Sequence, residues 1–282
     1  MGRFASSIRL PAVAGAALVA LALAANGSGS SGTAAKTSSA GAKTYVIGTS
    51  GDFPPFESRS ASNPNEIVGF EPDMMKAVMG HLGWKYKFVT GDFNGLIPGL
   101  QSGRFDMIVS DVYDTALRRK VVNFVDYLQT GLSIMVKSSD AANVKSFSDL
   151  CGKAVGVLTG SPSEVTPLQD ASKKCKAAGN SAIQMKSFPA VAQEVPALEN
   201  GTLFAIFEDS VTLGLIQSAR HGKVKVVFDD PAARTNIGIA VKKGSPIKGQ
   251  LAAAMKWYFG SAAYRQNAAK WKLPSYALLK KS

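Results

Sequence analysis

The sequence predicts an α/β fold with mostly parallel sheets, because short strand-like runs alternate with helical segments from residue 44 onward. The length of the chain limits the number of domains. After an N-terminal segment of unusual composition, about 240 residues remain, which is enough for one large domain or for two lobes. No second apolar run is long enough to cross a membrane.

The individual elements follow from hydrophobic spacing and from turn residues. Tyr45–Thr49 is a short strand, and apolar residues from Phe70 to Leu82 recur at helical spacing, with Pro72 in a first-turn position and Gly83 at the end. Aromatic residues then alternate with lysines over 84–88, as in a half-buried strand. Further strands are expected at 105–110, 132–136, 153–157, 182–186, 203–207, 224–228 and 236–241, and further helices at 96–102, 162–177, 190–199, 209–220 and 246–259.

The first 42 residues have the pattern of an export signal followed by a tether. Arg3 and Arg9 precede the uninterrupted apolar run 11–25, so residues 1–25 are predicted to be a signal peptide. Asn26 stands where a lipoprotein would carry its lipid-bearing cysteine. An uncleaved membrane anchor is the alternative. Residues 26–42 lack large apolar side chains and are predicted to be a flexible linker.

Two cysteines, Cys151 and Cys175, lie in the part that would be exported. An even number in an oxidising compartment predicts one disulfide, which would stabilise the fold by roughly 3–4 kcal/mol in the chain-entropy model. The two histidines are far apart in sequence, so we expect no metal site and no cofactor.

The net charge of +12 is concentrated toward the C-terminus. Residues 26–230 hold 20 basic and 20 acidic side chains, whereas residues 231–282 hold ten Lys or Arg and no Asp or Glu. Nucleic acid is not an expected partner, because the protein is predicted to be exported. Either an anionic membrane or membrane partner contacts this basic surface, or it is a solvated face.

Arg118 is the first candidate ligand-binding residue. It follows the apolar run 105–110 and a polar loop, and Thr115 is placed to cap a helix that would hold Arg118 in its first turn. A cation is disfavoured there by the helix dipole, so an anion bound between strand end and helix would explain the placement. The alternative is that Arg118–Lys120 form a solvated basic face.

Seven segments occur in order between about residues 44 and 272. They are GTSGDFPPF (48–56), GFEPDM (69–74), GDFNGLIPGLQSGRFD (91–106), SDVYDTALR (110–118), NFVDY (123–127), VGVLTGS (155–161) and ENGTLFAIFED (199–209). Together they resemble family 3 of the bacterial extracellular solute-binding proteins, which capture polar amino acids for ABC importers.

This resemblance implies a two-lobed clamshell, the type II periplasmic-binding-protein fold, with ligand in the cleft and two crossover strands near 131–136 and 234–240. Lobe one would comprise residues 43–132 and 236–282, and lobe two residues 133–235. Ligand would stabilise the closed form because it contacts both lobes. The implied protein is a monomer in the periplasm or on the outer face of the membrane, and its partners are an amino acid or amine and an ABC permease.

The resemblance also implies the ligand-binding residues. Arg118 would pair with a carboxylate, Asp209 would receive an ammonium, and Phe53 and Phe93 would flank the side chain. Alternatively, the two phenylalanines are core residues and Asp209 is only a helix N-cap. The remaining candidates are Ser50, Ser110, Asp111, Val112, Tyr113 and Ser161.

Several positions depart from the pattern of the family. Pro162 has no N–H to offer a carboxylate. Asp111 and Tyr113 replace small hydroxyl residues, and Ser50 replaces an acid that members selective for basic amino acids use. If Asp111 faces the cleft with Glu208 and Asp209, the site favours an amine-rich or multiply charged ligand. If it faces solvent, a neutral polar amino acid fits better.

Two other functions are compatible with this fold. Cyclohexadienyl dehydratases, which also act on arogenate, share the architecture and use cleft acids for proton transfer. Asp111, Glu208 or Asp209 would take that role here. Against catalysis, the chain shows no Ser-His-Asp set, cysteine nucleophile or metal cluster. A receptor's sensory module is the second alternative, and no kinase or membrane segment follows to favour it. We therefore expect a binding protein rather than an enzyme.

Overall fold

Two five-stranded sheets carry the fold. The computed structural model describes residues 43–229 and 234–279; the expected signal peptide (1–25) and linker (26–42) lie outside the described residues. The strands are β1 (Thr44–Thr49), β2 (Asp52–Phe53), β3 (Glu57–Arg59), β4 (Ile67–Val68), β5 (Lys85–Thr90), β6 (Met107–Ile108), β7 (Val122–Thr130), β8 (Leu132–Lys137), β9 (Ala154–Leu158), β10 (Gln184–Phe188), β11 (Ala205–Asp209), β12 (Val224–Asp229) and β13 (Thr235–Lys242). The helices are α1 (Phe70–Leu82), α2 (Phe93–Ser102), α3 (Pro162–Ala177), α4 (Val191–Asn200), α5 (Ser210–Ala219), α6 (Lys248–Gly260) and α7 (Ala262–Lys270).

Both sheets have the same mixed pattern. The first has the order β5-β1-β6-β13-β7 and the second β10-β9-β11-β8-β12. In each sheet the first three strands are mutually parallel, and the last two add antiparallel pairs. The expectation of mostly parallel sheets was therefore wrong. Parallel neighbours are joined through helices such as α1 and α3, whereas β7, β8, β12 and β13 flank the places where the chain changes sheet.

The chain leaves the first sheet at Thr130 and enters the second at Leu132, so Gly131 alone joins β7 to β8. It re-enters the first sheet at Thr235, where β13 pairs with β7. We call the part built on the first sheet the first lobe and the part built on the second sheet the second lobe. The α/β two-lobed fold is thus confirmed, while the lobe boundaries proposed from sequence stay a prediction.

Local sequence explains the helices that border the cleft. In α1, Met74 and Val78 are among the residues that face the core, and Gly83 ends the helix in a left-handed conformation (φ 67°). Asp92 caps α2 by accepting a hydrogen bond from the backbone N–H of Asn94 (2.9 Å). Helix α2 packs on β1 and β6 of the first sheet, and its N-cap Asp92 and first residue Phe93 lie at the cleft.

Two local expectations were wrong, and two elements were missed. The strand expected over 105–110 is only Met107–Ile108, and the helix expected at Arg118 is a three-residue 3₁₀ turn, Arg118–Lys120. Strand β7 and helix α7 were not anticipated. Strand β7 has an extra residue, Tyr127, between the partners of Ile237 and Gly238, and this irregularity interrupts the alternation that predicts a strand. Helix α7 is polar and short, and so lacks a long apolar stripe.

The predicted disulfide is present and joins Cys151 to Cys175, with 5.6 Å between their Cα atoms. It ties the end of a 3₁₀ turn to α3, and Cys175 packs in the core of the second lobe. Within residues 43–229 and 234–279, no helix has the length and apolarity needed to cross a bilayer. The same residues contain no group of three or more His, Cys, Asp or Glu arranged to hold a metal ion.

Candidate functional site

A cavity of about 170 Å³ lies between the two lobes. It contains eight of the ten predicted ligand-binding residues: Ser50, Phe53, Phe93, Ser110, Asp111, Tyr113, Arg118 and Ser161. The other lining residues were not predicted as contacts, although Glu208 had been considered: Asp52, Glu57, Asp92, Leu158, Thr159, Ser163, Glu164, Pro189, Ala190 and Glu208. The cavity is therefore built from both lobes, and its polar lining is dominated by carboxyl groups.

Arg118 faces this cavity. Its guanidinium donates a hydrogen bond to the carbonyl of Tyr113 (3.0 Å) and lies 5.6 Å from the centre of the Phe93 ring. Burial lowers the pKa of Arg118, and nearby Asp111 opposes that shift. The neighbouring Arg119 points elsewhere and pairs with Asp114 (2.6 Å). The basic segment is thus divided, with Arg118 at the cleft and Arg119 on the surface.

The loop before Arg118 also explains how the turn forms without an α-helix. The hydroxyl of Thr115 accepts a hydrogen bond from the backbone N–H of Arg118 (3.2 Å), as the capping pattern predicts. The helical segment that follows is a single turn, so the helix-dipole reason given for Arg118 does not apply. Its position comes instead from the Tyr113 carbonyl and the Phe93 ring.

Three buried carboxyl groups form the first-lobe acids: Glu57, Glu71 and Asp111. Glu57 accepts hydrogen bonds from the hydroxyls of Ser110 (2.6 Å) and Ser50 (3.0 Å). Burial raises the pKa of all three acids, and for Glu57 and Asp111 neighbouring carboxylates raise it further.

Glu71 is the structural centre of this group. It accepts the backbone N–H of Asp111 (2.7 Å) and the phenol of Tyr127. Asp111 has a left-handed backbone (φ 46°), a conformation that aspartate tolerates better than most residues. The hydrogen bond from the Asp111 N–H to Glu71 holds this loop in the orientation that faces the cavity.

A second group, the second-lobe acids, consists of Glu164, Glu194 and Glu208. Glu164 accepts the backbone N–H of Leu158 (2.6 Å), and Glu208 accepts the N–H of Asp209 (2.7 Å). Burial is the main cause of the raised pKa values: about 7 for Glu164, about 9 for Glu194 and well above the usual range for Glu208. Glu164 and Glu208 line the cavity, and Glu194 lies behind them on α4.

The chain matches the profile of the bacterial extracellular solute-binding proteins, family 3, over residues 45–274. The chain belongs to this family. One relative is the arginine-binding extracellular protein of Bacillus subtilis. It is 31% identical over 241 residues, which cover 86% of this chain and 89% of the relative. The resemblance seen in the seven segments is confirmed.

Two solved structures of family members have the same fold. One is an ancestral arginine-binding protein bound to arginine, with a TM-score of 0.68 and 33% identity over 81% of this chain and 97% of that one. The other is an ancestral amino acid-binding protein, a precursor of cyclohexadienyl dehydratase, with a TM-score of 0.71 and 27% identity over 81% of this chain and 95% of that one.

Asp209, the ammonium ligand that the family resemblance implies, does not line the cavity. Its carboxylate caps α5 through the N–H of Thr212 (2.9 Å) and accepts hydrogen bonds from the phenol of Tyr113 (3.0 Å) and from Thr130. The N-cap role is therefore present in this structure. An ammonium would reach Asp209 only after the ring of Tyr113 moved aside.

Val112 also lies outside the cavity lining. Its side chain packs in the core with Leu96 and Leu100, and its carbonyl accepts the N–H of Gly238 (3.1 Å). Its predicted contribution was a backbone contact to ligand, and the carbonyl is already used within the first lobe. Phe53 lines the cavity and is also buried in the core, so the two roles proposed for it coincide.

The loop that faces α2 from the second lobe is shaped by glycine and proline. Pro162 starts α3, where its missing N–H costs no helical hydrogen bond. Gly160 has a left-handed backbone (φ 80°), and a methyl group at its Cα would overlap the side-chain amide of Asn94 in the first lobe. The lobes are therefore in close contact at this point.

Proposed function

We propose that this member of the family captures a positively charged amino acid or a related amine in the interlobe cavity and delivers it to an ABC importer, without catalysis. The supporting observation is the chemical composition of the lining. Six carboxyl side chains line the cavity, and among the described lining residues Arg118 supplies the one Lys or Arg side chain. Carboxyl groups ionise beside a bound cation and disfavour an anion, so this wall selects for cations.

The groups suit the two ends of an amino acid. Arg118 uses one hydrogen bond inside the protein, so the remaining donors of its planar guanidinium can pair with a carboxylate. Phe93 lies beside that guanidinium and offers an apolar surface to the ligand side chain. Because Asp111 is buried and lines the cavity, a neutral polar amino acid is the less favoured ligand.

Cross-cleft contacts support a hinge mechanism. Tyr113 of the first lobe bonds Asp209 of the second, and Gly160 meets Asn94, so these contacts belong to a closed arrangement. The first crossing consists of Gly131 alone, a short segment on which two lobes can rotate. Ligand that touches both lobes would favour closure by its differential affinity.

We further propose that the protein is exported through residues 1–25 and acts as a monomer outside the cytoplasm. Its first lobe would comprise residues 43–132 and 236–282, and its second lobe residues 133–235. Fractionation of cells expressing the full chain tests export. The result expected is a processed protein in the extracytoplasmic fraction, and retention with the cytoplasm would overturn this part.

The central test is titration calorimetry of the purified protein against L-arginine, L-lysine, L-ornithine, L-histidine, L-glutamine and 1,4-diaminobutane. We expect at least one positively charged ligand to bind more tightly than L-glutamine. Arg118→Ala should weaken an amino acid ligand at least tenfold, because a buried charge-assisted bond is lost. Arg119→Ala, whose guanidinium pairs with Asp114 outside the cavity, is the matched control.

An enzyme is the second candidate, and one observation favours testing it. Glu164 lines the cavity with a pKa raised to about 7, which suits a general acid, and one structural relative is a precursor of a dehydratase. Incubation with prephenate and with arogenate, followed by product chromatography, decides the matter. We expect no turnover above background, and turnover that Glu164→Gln abolishes would replace the binding proposal.

A further inference from the structure

The second-lobe acids form a compact, almost completely buried cluster. Glu164, Glu194 and Glu208 expose 2%, 0% and 2% of their surfaces. They come from α3, α4 and β11, so three separate elements converge on one place. Glu164 and Glu208 reach the cavity surface, while Glu194 stands behind them next to Gly156 of β9.

Several oxygens of this cluster have no hydrogen-bond partner among the described residues. Both carboxyl oxygens of Glu194 and one of Glu208 are in this position. None of the three glutamates takes part in an ion pair within residues 43–229 and 234–279. Buried polar groups are nearly always paired in folded proteins, so the unpaired oxygen of Glu208, a residue of the cavity wall, and those of Glu194 behind it indicate a missing partner.

The groups that face the cluster are also acidic or neutral. Asp209 follows Glu208 on β11, and Asp111 and Tyr113 face the cluster from the first lobe. Glu164 and Glu208 are close enough for each to influence the pKa of the other, and burial favours the neutral form of both. Arg118, the one Lys or Arg side chain among the described lining residues, uses a hydrogen bond to the carbonyl of Tyr113 in the first lobe.

We propose that Glu164 and Glu208 are a cation subsite on the second-lobe wall, and that a positively charged group of the ligand enters it in exchange for a proton of the cluster. The ligand class is a molecule with two separate cationic groups, such as a dibasic amino acid or a diamine. One cationic group would lie against the first-lobe acids and the other against the second-lobe acids. This inference rests on the proposed binding function.

The exchange is balanced in charge and atoms. A neutral carboxylic acid of the cluster loses its proton to solvent, and the resulting carboxylate pairs with an ammonium or guanidinium that stays protonated. Burial raises the pKa of Glu164 to about 7, that of Glu194 to about 9 and that of Glu208 well above its usual range, so the cluster holds a proton at pH 7. The cation lowers these pKa values, so binding releases the proton and affinity rises with pH.

Titration calorimetry at pH 7 in two buffers of different ionisation enthalpy counts the protons released. L-arginine is compared with L-citrulline, which has the same length but one cationic group fewer, and 1,4-diaminobutane with 1-aminobutane. We expect about one proton released by each dication, and an affinity that rises about tenfold per pH unit between pH 6 and 7. The ligands with one cationic group should release none.

Three variants locate the exchanging group. Glu208→Gln and Glu164→Gln keep an oxygen acceptor for the backbone N–H and should lower dication affinity at least tenfold, with loss of proton release. Glu199→Gln, on the same helix as Glu194 but paired with Arg220 outside the cavity, should behave as the parent protein. Melting temperatures verify that each variant folds.

The outcomes separate this inference from the proposed function. Equal affinity for one and two cationic groups without proton release overturns the subsite while leaving amino acid binding intact. Loss of proton release in Glu57→Gln but not in Glu208→Gln assigns the exchange to the first lobe and also overturns it. If none of the amino acids or amines binds, both proposals fail.

Discussion

The two groups of buried acids differ in the donors they receive. In the first lobe, Glu57 and Glu71 accept hydrogen bonds from side-chain hydroxyls, among them those of Ser110 and Tyr127. In the second lobe, the donors to Glu164 and Glu208 include backbone N–H groups, and Glu194 has no hydrogen-bond partner among the described residues.

Burial of carboxyl groups can therefore have two different energetic consequences in one cavity. Acids with side-chain donors are held in place before ligand arrives, and removing them damages the fold. Acids without such donors reduce the stability of the ligand-free protein whenever they ionise. Glu57 and Glu71 are therefore held by donors inside the fold, whereas ligand binding is the role that we propose for Glu164 and Glu208.

The largest expected effect comes from removing the structural centre of the first-lobe acids. Glu71→Ala leaves the Asp111 N–H and the Tyr127 phenol without their acceptor in a buried site. We expect the free energy of unfolding to fall by about 3 kcal/mol, measured by urea denaturation. Glu199→Ala, at a partly exposed position, should change it by less than about 0.5 kcal/mol. A Glu71→Ala protein as stable as the parent would contradict the contrast.

In contrast to Glu71→Ala, Glu194→Gln is expected to increase the free energy of unfolding. The pKa of Glu194 is raised to about 9 by burial, so its stabilising proton is fully present below the unfolded pKa near 4.5 and is lost as pH rises through 9. The free energy of unfolding of the parent should therefore decrease by roughly 1 kcal/mol per pH unit between pH 5 and 8. The glutamine cannot ionise, so the variant should be more stable than the parent by about 3 kcal/mol at pH 8.

Melting curves of both proteins at pH 5 and pH 8 test this prediction. The two curves should differ little at pH 5 and separate at pH 8. A parent protein whose stability does not depend on pH in this range would show that Glu194 has a partner that compensates its charge.

A smaller effect is expected where the two lobes meet. Tyr113→Phe removes the hydrogen bond to Asp209 across the cleft, worth about 1 kcal/mol, and should shift the ligand-free protein toward the open form. Small-angle X-ray scattering would record a larger radius of gyration. Tyr127→Phe removes a phenol that stays inside the first lobe, so it should lower stability without changing the radius. An increase in both variants, or in neither, would contradict the assignment of Tyr113 as a contact between lobes.

Much of the fold follows from sequence, because periodic spacing and turn residues act locally. The helix over 70–82 ends at Gly83 as predicted, and the helix over 162–177 has the predicted limits. Strand β7 was missed because the irregular pairing near Tyr127 breaks its alternation. The single 3₁₀ turn at Arg118 was predicted as a longer helix, since a capping threonine signals where a helix starts but not how far it continues.

The site was predictable to the level of segments. The motif ending at Asp209 identified the correct strand, but its neighbour Glu208 lines the cavity instead, because successive residues on a strand face opposite sides. Glu164 and Glu194 are 30 residues apart in sequence and come together only through the packing of α3 and α4. No local pattern in the sequence predicts this contact between α3 and α4. The hydrogen bond from Tyr113 to Asp209 likewise depends on how the lobes close.

The contact of Gly160 with Asn94 gives the protein a way to adjust its apparent affinity without changing any ligand contact. A side chain at position 160 would act as a wedge that the closed state must accommodate by displacing the Asn94 amide. Since only the closed fraction holds ligand fully, the dissociation constant increases in proportion as that fraction falls. A single methyl group at position 160 would thus raise the apparent dissociation constant while leaving the selectivity among ligands unchanged.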